Sequence, residues 1–383
     1  MFIDYFLQEI YIYFILILLG YIYYLNLYIN KNNNKNNIKK IRYNNKNFPP
    51  YFPNQWYFID FSNNIKNKEI KRYSILDKEI IVFRTETNKI GILNAFCPHM
   101  GTHLIDGKVE KETIICPYHE WSFNINGECK NIPYTKSKIT NRCNANKYYS
   151  YEKYNMIFFW YHIDDLPPSN NIGILNELDK YNYITTKNMN IYNMHIMEPS
   201  QNSCDYYHFQ TAHKYLSNPF YEKLIKVNHK VSSHYNFDGY KEIIIDEKIT
   251  ELKLFGLIKL PQFICDLFKT CVIIEAPGLI LFKIDNNILG NFRAIMTLTP
   301  IEKFKQQLYI SSFGNKIWNS FCGKILTYLV YKTVEQDKFV WEKRSQPKPL
   351  VWTQGDGPFA KYSTWLTQFY TESSKKQYNN LDW

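Results

Sequence analysis

No Gly-x-Gly-x-x-Gly fingerprint occurs in this chain, so it carries no flavin or nicotinamide dinucleotide site of that kind, and any reducing equivalents must come from a separate partner. Outside two short boxes, cysteines at paired spacings are also missing. Cys129, Cys143, Cys204, Cys265, Cys271 and Cys322 stand singly and read as buried free thiols, which excludes a disulfide framework and points to a reducing compartment. Nucleic-acid motifs are absent despite a net charge of +11. The lysines are dispersed among asparagine, isoleucine and 33 tyrosines, as compositional bias would scatter them, so no nucleic-acid partner is expected. A cleaved secretory leader is not expected either. Asp4 and Glu9 stand where basic residues would precede an apolar core, and no small-residue cleavage site follows.

What the chain does have is a pair of mixed boxes, Cys97-Pro98-His99 and Cys116-Pro117-Tyr118-His119, separated by residues 100–115. Each supplies one thiol and one imidazole. Zinc fingers usually keep their two cysteines in one box and their two histidines in the other. The mixed arrangement suits a Rieske [2Fe–2S] centre, in which two cysteines hold one iron and two histidines the other. Gly101 follows the first box, where a loop must turn tightly, and Trp121 follows the second. A structural zinc knuckle is the competing reading. His103 lies close to the first box; with four ligands already assigned, it reads as a neighbouring or surface histidine.

Ile10 to Ile29 is an uncharged run of twenty residues, long enough as a helix to span a bilayer core of about 30 Å. A buried soluble helix is the alternative. Lys31, Lys35, Lys39, Lys40, Arg42 and Lys46 follow in an asparagine-rich stretch. By the positive-inside rule this flank and everything after it are expected in the cytosol, with the stretch acting as a tether over anionic headgroups.

From Trp56 the pattern becomes short strands: Trp56–Ile59, Ile80–Phe83, Lys89–Asn94, Thr113–Cys116, Trp121–Asn124 and Met156–Tyr161. Turn signals such as Asn126-Gly127 separate some of them, which predicts a small antiparallel β domain ending near Leu166-Pro167-Pro168.

A second site follows. Asp205-Tyr206-Tyr207-His208 and His213 place two histidines five apart, about 140° apart on a regular helix, so they share a metal only across a helix end or a π-bulge. Two histidines plus a carboxylate make the facial triad of non-haem Fe(II) oxygenases. Asp337 is the candidate carboxylate, because positions 326, 330, 333, 337 and 341 follow helical spacing and Asp337 interrupts a mostly apolar stripe. Glu335 and Glu342 lie off that stripe and read as solvated. Asp356, in a Gly-Asp-Gly-Pro turn, is the rival. Asp205, three before His208, either orients the histidine and provides a route for electrons or is an ordinary acidic residue at a helix start. Lys241–Phe255, Thr270–Ile284 and Phe292–Ser312 read as three long strands and Tyr328 to Lys343 as the helix after them; a curved sheet over that helix would give a deep apolar cavity. Leu254 to Phe268 is apolar enough to be core, or to face a membrane at the substrate entrance.

The order of these parts resembles the Rieske-type non-haem iron oxygenases. More narrowly it resembles the membrane-anchored cholesterol 7-desaturase (Neverland) family, through the N-terminal span, Pro49-Pro50-Tyr51-Phe52-Pro53-Asn54-Gln55-Trp56-Tyr57, both boxes, Asn202 to His213, and Gly355-Asp356-Gly357-Pro358 with Trp365 to Tyr370. The resemblance implies an α+β chain: membrane anchor 1–30, basic linker 31–47, antiparallel β Rieske domain 48–166, and a helix-grip (START-like) catalytic domain 167–383 with a curved antiparallel sheet and a C-terminal helix. It implies that Cys97, His99, Cys116 and His119 bind the cluster, that His208, His213 and Asp337 bind Fe(II), and that homotrimers pass electrons from one subunit's cluster to the next subunit's iron through Asp205. The implied activity is sterol 7-desaturation at the endoplasmic reticulum, using O2 and NAD(P)H-derived electrons delivered by a separate reductase. A sterol C-24 de-ethylase or a steroid hydroxylase would use the same iron chemistry. A membrane-anchored Rieske electron carrier is the non-enzyme alternative, but such carriers resemble proteins with an extra cysteine in each box, and it leaves the second site unexplained. Two positions depart from the family pattern: Glu120 and Gln55 stand where many relatives carry glycine.

Overall fold

The computed structural model describes residues 48–377 apart from 216–223, 237–241, 267–268, 287–289, 316–318, 347–349 and 354. The expected anchor and basic linker therefore lie outside the described residues. Within the described residues no helix is long and apolar enough to cross a membrane.

The chain forms two compact units. Of the described residues, the box-bearing unit comprises those within 50–175, 298–307 and 369–377, and the histidine-bearing unit those within 48–49, 176–297 and 308–368.

The box-bearing unit is antiparallel β. β1 (Gln55–Phe61) pairs with β11 (Met156–Tyr161), which pairs with β10 (Ser150–Lys153). A four-stranded sheet runs β2 (Ile70–Ile75), β3 (Lys78–Arg84), β4 (Ile90–Asn94), β9 (Lys147–Tyr148), and another runs β5 (Lys108–Glu110), β6 (Thr113–Ile115), β7 (Ser122–Asn124), β8 (Cys129–Asn131). Ile80, Ile81, Val82 and Phe83 are all fully buried, so β3 is a continuous apolar run covered on both faces. The core of Ile81, Phe83, Leu93, Leu104, Ile114 and Phe123 also contains Cys97 and Cys116, so the two box thiols rise out of packed apolar side chains. The 298–307 segment is tied in by Leu76 N–H to Pro300 O (2.8 Å) and by the Thr299 hydroxyl to Phe58 O (2.5 Å).

The histidine-bearing unit is built on an eight-stranded sheet. Its order is β12 (Asn182–Tyr192), β19 (Lys305–Gly314), β18 (Phe292–Glu302), β17 (Leu279–Ile284), β16 (Thr270–Ala276), β14 (Glu242–Leu254), β13 (Ile225–Asn236), with β15 (Ile258–Lys259) on β14. Two segments expected as single long strands are hairpins. Residues 270–284 fold back through Pro277-Gly278, where Ala276 faces Leu279. Residues 292–312 fold back between Glu302 and Lys305, around Phe304 at φ 58°, a left-handed position that phenylalanine rarely takes. β12 and β13 were not expected at all; β13 carries few strongly apolar residues and is fixed by its long pairing with β14.

Helix α1 (Glu198–Ser203) and the one-turn helix α2 (His208–Thr211) carry the histidine motif, and α3 (Gln262–Asp266) caps β14. The long helix α4 (Asn319–Trp341) starts nine residues before the expected Tyr328. It lies close to β12 because Gly323 has no side chain: a Cβ there would sit 2.4 Å from Ile184 Cδ1. Its buried face is Ile325, Leu329, Val334, Asp337 and Trp341, so the stripe is rotated from the expected one and Leu326, Val330 and Thr333 are half-buried. α5 (Phe359–Leu366) follows the Gly355–Pro358 turn.

Candidate metal centres

The first site is built by two tight loops. Between β4 and β5 the loop closes on itself through Cys97 N–H to Thr102 O and Gly101 N–H to Cys97 O, both 2.9 Å, with Gly101 at φ 71°. Between β6 and β7, Cys116 N–H meets Trp121 O (2.9 Å) and Glu120 N–H meets Cys116 O (3.2 Å). Cys97 and Cys116 are 3% and 2% exposed and both are free thiols. Burial, with the neighbouring Cys116 thiol, pushes Cys97 up to about 11. Two adjacent thiolates in such a setting need a positive centre between them. The His99 and His119 rings lie 4.7 Å apart at 70°. Trp121 stacks on His99 at 4.5 Å and 7°, and its Nε1–H donates to the Tyr134 hydroxyl at 2.8 Å. The sulfur donors are buried and the imidazoles half-buried, an arrangement that fits a two-iron cluster with one donor type per iron. Among the described residues, the one group of three or more potential ligands with all ligand atoms within 4.8 Å of one another is elsewhere, so the boxes do not gather around a single ion as a zinc site would. His103 accepts from Ile105 N–H through Nδ1 at 3.1 Å and caps a short turn.

That one group is His208, His213 and Asp337. The short helix α2 ends at Thr211, so His213 lies past a helix end and its ring reaches 5.1 Å from that of His208. His208 Nδ1 is 2.7 Å from Asp205 O; a carbonyl can only accept, so Nδ1 carries the hydrogen and Nε2 is free. His213 Nδ1 likewise donates to Gln336 Oε1 (2.9 Å), an amide orientation supported by Gln336 Nε2 donating to Tyr215 O at 3.3 Å. His213 Nε2 then faces Asp337 Oδ2 at 3.3 Å. Asn202 Nδ2 donates to the same oxygen at 3.0 Å. Burial pulls His208 below the ordinary imidazole value, against the attraction of Asp337. Burial pulls His213 down too, but its hydrogen bond to Asp337 and that residue's charge outweigh this, and the net direction is up. His213 and Asp337 are each 6% exposed. Two imidazole nitrogens and a carboxylate at this spacing fit one divalent iron and leave coordination positions for other ligands.

Asp205 does not share a helical face with His208, because α1 stops at Ser203 and α2 starts at His208. Its carboxylate instead accepts from Tyr207 N–H (2.9 Å) and His208 N–H (3.1 Å), closing the turn that leads into α2, while its carbonyl orients the His208 ring. Asp356 is not brought to the histidines; its carboxylate accepts from Thr353 N–H (2.7 Å) and Oγ1 (2.9 Å). Glu342, expected in solvent, is buried and accepts from Asn193 N–H at 2.9 Å. Glu335 is half-buried and accepts from Lys332 at 2.9 Å.

Three partners of the site were not found by sequence reasoning: Gln336, Asn202 and His229, whose Nε2 donates to His213 O at 3.1 Å while Nδ1 faces Glu247 at 2.7 Å. Gln336 adjoins Asp337 in sequence, but nothing in the helical pattern marks it. An open groove of about 800 Å3 is lined by Tyr235, Lys361, Thr364 and Trp365, among others, and by none of the three metal-site residues.

Comparison with known proteins bears directly on the box-bearing region. The domain family described as "Rieske [2Fe-2S] domain" matches residues 55–151. "Cholesterol 7-desaturase" of Caenorhabditis elegans is 29% identical over 346 residues, covering 86% of this chain and 79% of the relative. "Cholesterol 7-desaturase nvd" of Drosophila melanogaster is 28% identical over 354 residues, covering 88% and 79%. The solved structure of dicamba monooxygenase bound to dicamba superposes with a TM-score of 0.61 at 16% identity, covering 85% of this chain and 98% of that one, which shows a shared fold. The chain is thus an oxidoreductase that carries a Rieske [2Fe-2S] domain and is similar over most of its length to cholesterol 7-desaturases.

Proposed function

We propose that this protein is a sterol 7-desaturase that takes one hydrogen from C7 and one from C8 of cholesterol or a related sterol, leaving a 5,7-diene. The observation that carries this is the His208, His213 and Asp337 cluster in the same chain as the two mixed boxes, in a relative of the cholesterol 7-desaturases. Cys97, His99, Cys116 and His119 would hold the [2Fe–2S] cluster, and His208, His213 and Asp337 the mononuclear iron. When bound, the two centres supply electron transfer and the reduction of dioxygen. The balance is closed: the sterol gives up two hydrogens, O2 takes them together with two electrons and two protons, and two waters leave. The electrons originate in NAD(P)H and arrive through a separate reductase, since the chain has no dinucleotide fingerprint.

The chain's own residues prepare the iron site. Asp205 O and Gln336 Oε1 fix both histidines in the tautomer that presents Nε2, and Asn202 holds the Asp337 carboxylate in place. The reading includes a homotrimer in which Asp205 lies on the route from one subunit's cluster to the next subunit's iron. It also includes a single-pass anchor at Ile10 to Ile29 in the endoplasmic reticulum, with the catalytic part cytosolic, supported by the basic residues after that run.

The test is a sterol profile of cells expressing the full chain with a suitable reductase and fed cholesterol and a 24-ethyl sterol. The expected result is a new conjugated 5,7-diene that disappears in the His208→Ala variant. Loss of the ethyl branch without a diene would overturn the 7-desaturase reading in favour of C-24 de-ethylation.

A further inference from the structure

The tip between β14 and β15 exposes three large apolar side chains within four residues: Phe255 is 58%, Leu257 84% and Ile258 60% exposed. Single exposed apolar residues are ordinary, but a contiguous group is not. The tip is held in place. Phe255 N–H donates to Leu224 O (2.6 Å), Leu257 N–H to Leu254 O (3.1 Å) and Leu260 N–H to Leu252 O (2.8 Å). Beneath it, Val227, Ile249, Leu252, Ile264 and Cys265 form a buried cluster of their own. Phe255 stands at φ 53°, a backbone region that suits glycine or asparagine and penalises a bulky residue. The apolar ring is thus kept at the tip against its local conformational preference.

Behind the tip lies a row of like charge. Lys226 on β13 is opposite Lys253 on β14, and Lys253 is opposite Lys259 on β15, so three lysines share one sheet face. Like charges directly opposite one another destabilise a sheet. Glu251 pairs with Lys253 (2.9 Å) and Lys259 (3.4 Å), and Lys226 has no acidic partner among the described residues. Three cations against one carboxylate leave the face at a net charge of +2. An exposed apolar tip held by backbone hydrogen bonds, with lysines one step behind it, matches a bilayer interface, where apolar side chains enter the acyl boundary and lysines meet anionic phosphates.

We propose that the β14–β15 tip is a second membrane contact of this protein, inserting Phe255, Leu257 and Ile258 into an anionic lipid surface and seating Lys226, Lys253 and Lys259 on its headgroups. The contact is separate from the N-terminal apolar run and does not depend on which sterol is the substrate.

The test uses the full chain, reconstituted into phosphatidylcholine vesicles with and without phosphatidylserine, carrying the photo-crosslinking residue p-benzoylphenylalanine at position 257. A control carries it at position 285, where the exposed Asp285 stands away from the tip in sequence. Phospholipid adducts at 257 are expected to exceed those at 285 by about ten-fold and to rise with phosphatidylserine. Replacing all three lysines together (Lys226→Gln, Lys253→Gln, Lys259→Gln) is expected to abolish that rise. Equal yields at the two positions would overturn the proposal, because the N-terminal run alone would then account for membrane proximity. Crosslinking of 257 to a second copy of the chain would overturn it in favour of a subunit interface.

Discussion

Glu120 follows the last ligand of the second box and sits at φ 58°, in the left-handed region. A side chain there costs about 1–2 kcal/mol, of which glycine recovers part after its greater loss of chain entropy. Glu120→Gly is therefore expected to stabilise the protein by about 1 kcal/mol, seen as a higher midpoint in thermal or denaturant unfolding; a lower midpoint would mean that the carboxylate makes a compensating contact. The same substitution removes a negative charge next to His119 and is expected to raise the reduction potential of a bound cluster, measured by spectroscopic titration. The position was readable in the sequence as a departure from the family pattern; the strain was visible only with the backbone angle. The candidate metal ligands stood out in the sequence for a stronger reason, since each is a residue type with few other uses at such a spacing, and the structure brings His208, His213 and Asp337 together. Gln336, Asn202 and Tyr134 were not, because an amide or phenol that orients a ligand looks like any other polar side chain until its partner is known. Glu342 misled in the other direction. A carboxylate off an apolar stripe reads as solvated, yet it is buried because Asn193 offers it a donor.

At the scale of elements, the α1–α2 turn depends on a distant loop. Gly357, at φ 112°, lies so close to this turn that a Cβ would stand 2.0 Å from Cys204 O, and Tyr206 N–H donates to Asp356 O at 3.2 Å. The Gly355–Pro358 turn thus clamps the segment that carries Asp205 and points His208 at its partners. Gly357→Ala is expected to displace that segment and weaken iron binding at the mononuclear site at least ten-fold, with the cluster absorption unchanged. Metal titration of the purified variant reads this; undiminished affinity would show that the turn absorbs the methyl group. Asp356 was weighed from the sequence as a ligand because it is an acidic residue in a conspicuous motif. Its place in the structure explains the motif otherwise: the glycines permit close backbone approach, and the carboxylate closes its own turn on Thr353. Strand reading failed for comparable reasons. The fold-back at Phe304 carries no glycine or asparagine and only Pro300 stands near it, whereas the Pro277-Gly278 turn between β16 and β17 was present in the letters and was passed over because the flanking residues are continuously apolar.

At the scale of the whole molecule, two metal centres of different chemistry are expected to load independently. Purified full-length protein should contain about three irons and two acid-labile sulfides per chain, with no stoichiometric zinc. Asp337→Ala should lower this to about two irons with the cluster spectrum intact. Iron unchanged in that variant would remove Asp337 from the ligand set, and zinc in place of labile sulfide would overturn the Rieske assignment.

The box-bearing unit is not one stretch of chain. It draws on described residues within 50–175, 298–307 and 369–377, so the polypeptide passes between the units at five places. A single protease cut within any connection would leave them covalently joined by the others. A fragment ending at residue 175 would lack Thr299 and Pro300, leaving Phe58 O and Leu76 N–H without those partners, and would lose Phe369 O, which accepts from Asn54 N–H at 2.8 Å. Anyone wishing to study the iron–sulfur half alone would have to splice three segments together, not shorten the gene from one end.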